Sequence, residues 1–330
     1  MIGLPLIALL SVCGSGFKPG VQLSAWMIFD DDGSSFADFK KHAKYLSAIS
    51  YAGMSCDKKG VVTRPALPTT SQIAELVRVA HANGVKAYAM AVNAGFTPEG
   101  LEIAMASPAA MQEHADALVN IAFADGVDGI DLDYESLKGA DRASFTKLVQ
   151  IIAKTAHAEK LRVVMAVHAK ESEPGTWDGP IAQDYAALGK AVDSIRVMTY
   201  DAHWETSEPG PIAPPDWAEK VLAFASTEVP CSKLELGIPG YGYDWLAKKG
   251  VGITWTQWSD RVKKHGAGTR DAASQELTLS YDGRTVFFSD GEASRAKFAS
   301  VKKLGIKGLA LWRMGSEDPA FWDLVAAEGK

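Results

Sequence analysis

Cysteine is scarce: Cys13, Cys56 and Cys231 are the only three in 330 residues. Such a count builds no disulfide framework. Cys56 and Cys231 could pair, but buried thiols are the simpler expectation. Positive charge is not in excess either, and a formal net charge of −6 leaves no basic footprint for nucleic acid. The seven histidines contain no H-x-H or H-x-x-x-H pair, so a zinc hydrolase is not expected. No G-x-G-x-x-G stands between a strand pattern and a helix pattern, which argues against a dinucleotide-binding open sheet. The acidic stretch after Gly126 fails as a calcium loop, because Ser136 stands where glycine is needed and Leu132 and Tyr134 are bulky. No metal and no cofactor are predicted, and the chain is expected to be a monomer.

Long apolar runs are missing as well. Met1–Val12 is an apolar stretch about a dozen residues long, too short to cross a bilayer but the size of a signal-peptide core. Leu10-Ser11-Val12-Cys13 loosely resembles a lipoprotein cleavage site, although Val12 is large for its position and no Lys or Arg precedes the run. Residues 1–20 are therefore read as a signal or lipoprotein leader, against the alternative of a frayed N-terminus. The location this implies is secreted, or held at the cell envelope through Cys13.

What is present is alternation. Strands are predicted at Val21–Phe29, Leu46–Met54, Val85–Val92, the acidic stretch, Leu161–Val167, Ser194–Tyr200, Leu234–Pro239 and Gly308–Trp312. Helical patterns separate them. Over Ser71–Asn83, for instance, Ile73, Leu76, Val77 and Ala80 share one face, and Gly84 follows where a helix end favours glycine. Ser107-Pro108 reads as a cap followed by proline in the first turn. Eight strand–helix units predict an α/β fold, a (β/α)8 barrel over residues 21–330. Residues 241–290 break the rhythm between the seventh strand and its helix. Two β-like runs around Asp282-Gly283 mark a hairpin there, so a small α+β insertion is expected to wall one side of a cleft.

The acidic stretch is the fourth strand. Side chains in a strand repeat with period two, so Asp131, Asp133 and Glu135 share one face and Ile130, Leu132 and Tyr134 the other. Turned into a barrel, three acids would crowd in a poorly solvated place, where carboxyl pKa values are set for chemistry. Asp128 has the opposite parity and is expected to be structural.

Asp128-x-x-Asp131-x-Asp133-x-Glu135 resembles the D-x-x-D-x-D-x-E signature of glycoside hydrolase family 18, which holds chitinases and related N-acetylglucosaminidases. Met198-Thr199-Tyr200-Asp201 is similar to the family's M-x-Y-D, and Trp312 to the tryptophan that floors its pocket. Tyr241-Gly242-Tyr243-Asp244-Trp245 follows the seventh strand as in many members. Ala94 and Gly95 depart from the S-x-G-G of typical chitinases, and Val92-Asn93 looks closer to bacterial envelope members, including those acting on spore peptidoglycan.

The resemblance implies a retaining, substrate-assisted hydrolase of β-1,4-linked N-acetylglucosaminyl polymers, in which the 2-acetamido oxygen attacks the anomeric carbon. Glu135 would be the general acid and then the base. Asp133 would orient the acetamido group, Tyr200 would donate a hydrogen bond to its oxygen, and Asp131 would share a proton with Asp133. Asp201, Trp312, Tyr51 and Trp245 are the expected substrate-binding residues. Trp26, Trp204, Trp255 and Trp258 are further candidates for sugar platforms, and Trp322 is expected in the core. His168 and His203 fall near strand ends, where packed or solvated histidine is the simpler reading. Two other readings remain: a non-catalytic glycan-binding protein on the same barrel, and a glycosidase with an ordinary pair of carboxylates.

Overall fold

A computed structural model describes residues 21–328 of the chain. Eight parallel strands close into a barrel: β1 (Gln22–Met27), β2 (Ala48–Cys56), β3 (Lys86–Asn93), β4 (Gly129–Asp133), β5 (Arg162–His168), β6 (Ser194–Met198), β7 (Leu234–Pro239) and β8 (Gly308–Trp312). Closure is direct, since β1 pairs in parallel with both β8 and β2. The helices that return the chain are α1 (Ser34–His42), α2 (Thr70–Ala82), α3 (Pro108–Asp125), α4 (Arg142–Ala158), α5 (Tyr185–Ala191), α6 (Pro215–Glu228), α7 (Gly291–Leu304) and α8 (Ala320–Glu328). Local chemistry sets their ends. A capping box of Thr69 and Gln72 starts α2, and the Ser107 hydroxyl accepts from the Ala110 N–H at the head of α3. Gly126 closes α3 in the left-handed region, φ 66°, which a side chain would resist.

Alternation along each strand sorts the side chains into two cores. Outward residues such as Ile49, Ile130, Leu132, Val163 and Leu236 join the apolar faces of the helices in one continuous cluster. Inside the barrel, Ala48, Tyr88 and Val164 pack near the N-terminal end, and Trp26, Met90, Ala166 and Ala310 pack near the other. Between these layers lies a polar one, in which Ser24, Ser50, Asp131, Arg196 and Glu235 are all buried. The acid face of β4 does point inward, with Asp131 and Asp133 both buried.

Asp128 stays at the base of the barrel. Lys86 Nζ at 2.8 Å, His81 Nε2 at 2.9 Å and the Ala87 N–H at 2.9 Å surround its carboxylate. These contacts outweigh its burial and lower its pKa. Cys56 is a buried free thiol, pushed up to about 12 by burial and then by Asp57, so it does not pair with Cys231. Residues 1–20, which carry the leader and Cys13, lie outside the described residues. Among the described residues, no helix is long and apolar enough to cross a membrane.

The insertion between β7 and α7 is a five-stranded antiparallel sheet with one helix, Trp255–His265. Tyr281 and Arg284 pair across a two-residue turn in which Asp282 and Gly283 both have positive φ, as the Asp-Gly hairpin signal requires. Ile253, Trp258, Leu279, Val286 and Phe288 form its own small core. It is tied to the barrel by Glu276, whose buried carboxylate accepts the Ile212 N–H at 2.7 Å and the Ala213 N–H at 2.8 Å.

Candidate active site

Chemistry-bearing side chains converge at the C-terminal ends of β4 through β8, and the polar layer beneath holds them. Asp131 is locked from two sides: Trp26 Nε1 donates to its Oδ2 at 2.8 Å and Arg196 Nη1 donates to the same oxygen at 2.6 Å. Arg196 also reaches Ser50 Oγ at 2.7 Å and Glu235 Oε2 at 3.1 Å. Glu235 in turn accepts from Ser194 Oγ and Lys307 Nζ. Burial alone would raise the Glu235 carboxyl, but Arg196 and Lys307 outweigh it and lower it to about 2. Burial likewise opposes the charge on Arg196, and the facing Asp131 and Glu235 more than restore it. The pocket floor is therefore a buried set of opposed charges, Asp131 and Glu235 facing Arg196 and Lys307.

Above that floor the acids behave differently. Asp133 is buried and pushed well above the usual carboxylate range, first by desolvation and then by the charges of Glu135 and Asp131. Asp131 Oδ1 and Asp133 Oδ1 both lack a hydrogen-bond partner. Glu135 follows the last β4 residue by two positions, and desolvation, then Asp201, raise it to about 7. Its backbone is clamped by Asn93 at the end of β3: Asn93 Nδ2 donates to the Glu135 carbonyl and Asn93 Oδ1 accepts the Glu135 N–H, both at 2.9 Å. His168 Nε2, at the end of β5, lies 3.8 Å from Glu135 Oε2. Desolvation lowers His168 to about 4, so it is neutral at ordinary pH.

Tyr200 and Asp201 come from the end of β6. Tyr200 has room because β7 carries glycine opposite it: a Cβ on Gly237 would sit 2.8 Å from Tyr200 Cε1. The Tyr200 hydroxyl is pushed far up by burial and then by Asp133, Glu135 and Asp201, which places it among the acids. Asp201 has a left-handed backbone, φ 59°, a conformation that costs energy outside glycine. It stands at the exposed rim and accepts the Tyr241 hydroxyl at 2.5 Å. Desolvation raises its carboxyl to about 6 against the hydroxyls of Tyr241 and Tyr243, which lower it.

These groups line a two-lobed groove that meets at Asp201. One lobe, about 510 Å³, is bounded by Glu135, His168, Trp177, Tyr200, Trp204 and Trp217. The other, about 330 Å³, is bounded by Glu205, Tyr241, Tyr243, Thr254, Trp312 and Arg313, so the insertion supplies part of its wall. Trp177 and Trp204 are about half exposed, and flat rings held open to solvent suit the apolar faces of sugar rings.

Two expected residues lie elsewhere. Tyr51 points out of the barrel: its ring is buried in the outer core and its hydroxyl donates to Asp125 Oδ2 at 2.7 Å. Trp245 is fully buried within the insertion, its Nε1 bonded to the Trp204 carbonyl at 3.0 Å. It supports the half-exposed Trp204 rather than the groove itself. Trp26 is a buried floor residue, Trp255 and Trp258 pack in the insertion, and Trp322 is core. Trp177, Trp217, Arg196 and Glu235 were not singled out from sequence; an inward parity on β6 and β7 was the available signal for the last two.

The sequence profile described as Glycosyl hydrolases family 18 matches residues 27–318. The "Uncharacterized glycosylase YvbX" of Bacillus subtilis is 26% identical over 308 residues, covering 89% of this chain and 88% of that protein. The "Cortical fragment-lytic enzyme" of the same organism is 27% identical over 61% of this chain, which spans about half of that relative's length (49%). Among solved structures, a chitinase from Chromobacterium violaceum superposes with a TM-score of 0.84 at 26% identity, covering 93% of this chain and 98% of the other. The spore cortex-lytic enzyme SleL of Bacillus cereus superposes equally well, TM-score 0.84, over 95% of this chain and 75% of that one; at 20% identity it shows the fold alone.

Proposed function

The chain belongs to glycosyl hydrolase family 18, a family of glycosidases acting on N-acetylglucosamine-containing polymers, and from that premise we propose a retaining, substrate-assisted cleavage of β-1,4 linkages with Glu135 as the proton donor. The observation that carries this reading is the Glu135 carboxyl, raised to about 7 and opening onto a groove walled by Trp177, Trp204 and Trp217. A carboxyl of that pKa holds its proton near neutrality and can give it to a leaving oxygen.

The sugar on the non-reducing side of the scissile bond would set its 2-acetamido group against Asp133 and Tyr200. As Glu135 protonates the glycosidic oxygen, the acetamido oxygen attacks the anomeric carbon and the bond to the leaving sugar breaks. Tyr200 donates to the acetamido oxygen. The two unpartnered Oδ1 atoms of Asp131 and Asp133 support a proton shared between them. Arg196 and Trp26 hold Asp131 in place through its other oxygen while the proton moves off Asp133, which must be ionised to face a cationic oxazolinium ion. Glu135, now ionised, takes a proton from water, which opens the ring on the same face and retains configuration. Asp201 and Trp312 would hold the flanking sugars. The groove is complete within one chain, which supports a monomeric enzyme. Such polymers lie outside the cytoplasmic membrane, so we place the protein in the envelope or secreted.

Glu135→Gln should lower kcat by about 10²–10⁴-fold while sugar binding persists; normal turnover would refute the assignment. Paired glucoside and N-acetylglucosaminide substrates test participation of the acetamido group, because equal rates on both contradict it. Product analysis on chitin oligomers beside purified peptidoglycan then chooses the polymer.

A further inference from the structure

Outside the groove, where α1 meets the segment between β8 and α8, three side chains converge that hydrolysis does not use. Asp38 and His42 stand one turn apart on α1, and Glu317 faces them from the other segment. One ligand atom from each lies within 4.8 Å of the other two. His42 and Glu317 are more than nine-tenths buried, at 7% and 8% exposure. Asp38 Oδ2, His42 Nδ1 and Glu317 Oε2 have no hydrogen-bond partner. His42 Nδ1 has an ion-pair contact with Asp38 Oδ1 at 3.0 Å.

The surroundings hold these free atoms in place. Trp322 Nε1 donates to Glu317 Oε1 at 2.8 Å, which occupies that oxygen and leaves Oε2 turned to the cluster. The Trp322 ring also stacks on the His42 imidazole, with centroids 4.2 Å apart and planes 10° from parallel. Two carboxylate oxygens that face each other out of water repel unless a positive charge sits between them. A proton on Glu317 is one solution, and burial with Asp38 beside it does push that carboxyl up. That solution leaves His42 Nδ1 with Asp38 alone.

A divalent ion satisfies all three at once. We propose that Asp38, His42 and Glu317 form a structural site for a divalent transition metal, zinc matching the donor set best. One imidazole nitrogen and two carboxylate oxygens at about 2.0–2.2 Å suit zinc, whereas calcium and magnesium prefer all-oxygen shells. Ligand atoms within 4.8 Å of one another would draw inward onto the ion to reach that radius. A depression of about 420 Å³ lined by His42, Tyr45, Pro319 and Trp322 lies beside the cluster. The bond would staple the helix after the first strand to the segment after the last one, at the seam where the barrel closes.

The test uses the full chain stripped with EDTA, then titrated with Zn²⁺, Mn²⁺ and Ca²⁺, with bound metal and Tm both measured. One zinc per chain is expected, preferred over calcium, with a rise in Tm of roughly 2–5 °C at saturation. Glu317→Gln and Asp38→Asn remove the carboxylate repulsion and should fold, yet neither should hold zinc or show the rise. Three results overturn the site: no stoichiometric zinc, a Tm indifferent to zinc, or zinc still bound in Glu317→Gln, which locates it elsewhere.

Discussion

Replacing Glu135 by glutamine should cost the enzyme its turnover and yet stabilise its fold above neutral pH. Desolvation and the charge of Asp201 raise the Glu135 carboxyl from 4.5 to about 7. The unfolded chain therefore releases this proton first, and between those two pH values the folded state binds more protons. Stability must fall as pH rises through that window. At 1.36 kcal/mol per pKa unit the whole penalty is roughly 3 kcal/mol, of which roughly 1 kcal/mol is already spent at pH 5. The side chain is 25% exposed, which makes this an upper figure. Glutamine carries no such proton. The stability difference between Glu135→Gln and wild type should thus grow by roughly 2–3 kcal/mol from pH 5 to pH 8, or about 4 °C in Tm for a chain of this size. Comparing two pH values cancels the fixed cost of burying an amide. Urea unfolding of both proteins at pH 5 and pH 8 measures it directly. A difference that is the same at both pH values, within about 0.5 kcal/mol, would refute the reasoning.

Asp201→Asn removes the second support of the Glu135 proton, so the alkaline limb of kcat/KM, expected near 7 in wild type from the raised Glu135 carboxyl, should move to lower pH. A limb that stays in place would show that the rim charge does not reach Glu135. Arg196→Met strands Asp131 in the barrel and removes one of the cations that face Glu235; a loss of about 3–5 kcal/mol, or roughly 5–8 °C in a thermal melt, is expected. A shift under about 1 °C would contradict a charged floor that needs its arginine. Asn93→Ala releases both bonds that clamp the Glu135 backbone. Its kcat should fall roughly 10–100-fold with little change in KM, and a wild-type kcat would count against the clamp.

Local periodicity carried most of the architecture. Eight apolar runs separated by amphipathic stretches can bury their faces in few ways other than a barrel, and parity alone turned Asp131, Asp133 and Glu135 to one face while leaving Asp128 at the base. The Asp282-Gly283 hairpin was legible because a two-residue turn demands positive φ at both positions. Tyr51 and Trp245 were misplaced for a different reason. A residue's type marks what it could do, whereas Tyr51 faces outward with Ile49 on β2, and Trp245 disappears into a sheet whose partners lie some forty residues away. The charged floor was hidden more deeply. Trp26, Asp131, Arg196 and Glu235 come from four strands, and only closure and register bring them within 3.1 Å of one another's polar atoms. The sequence by itself determined which side chains face the barrel's interior, because that is a property of one strand. Which of them touch, which acid keeps its proton and which tryptophans stay open to sugar were decided by the tertiary structure, because desolvation and charge pairing depend on neighbours the chain brings from a distance.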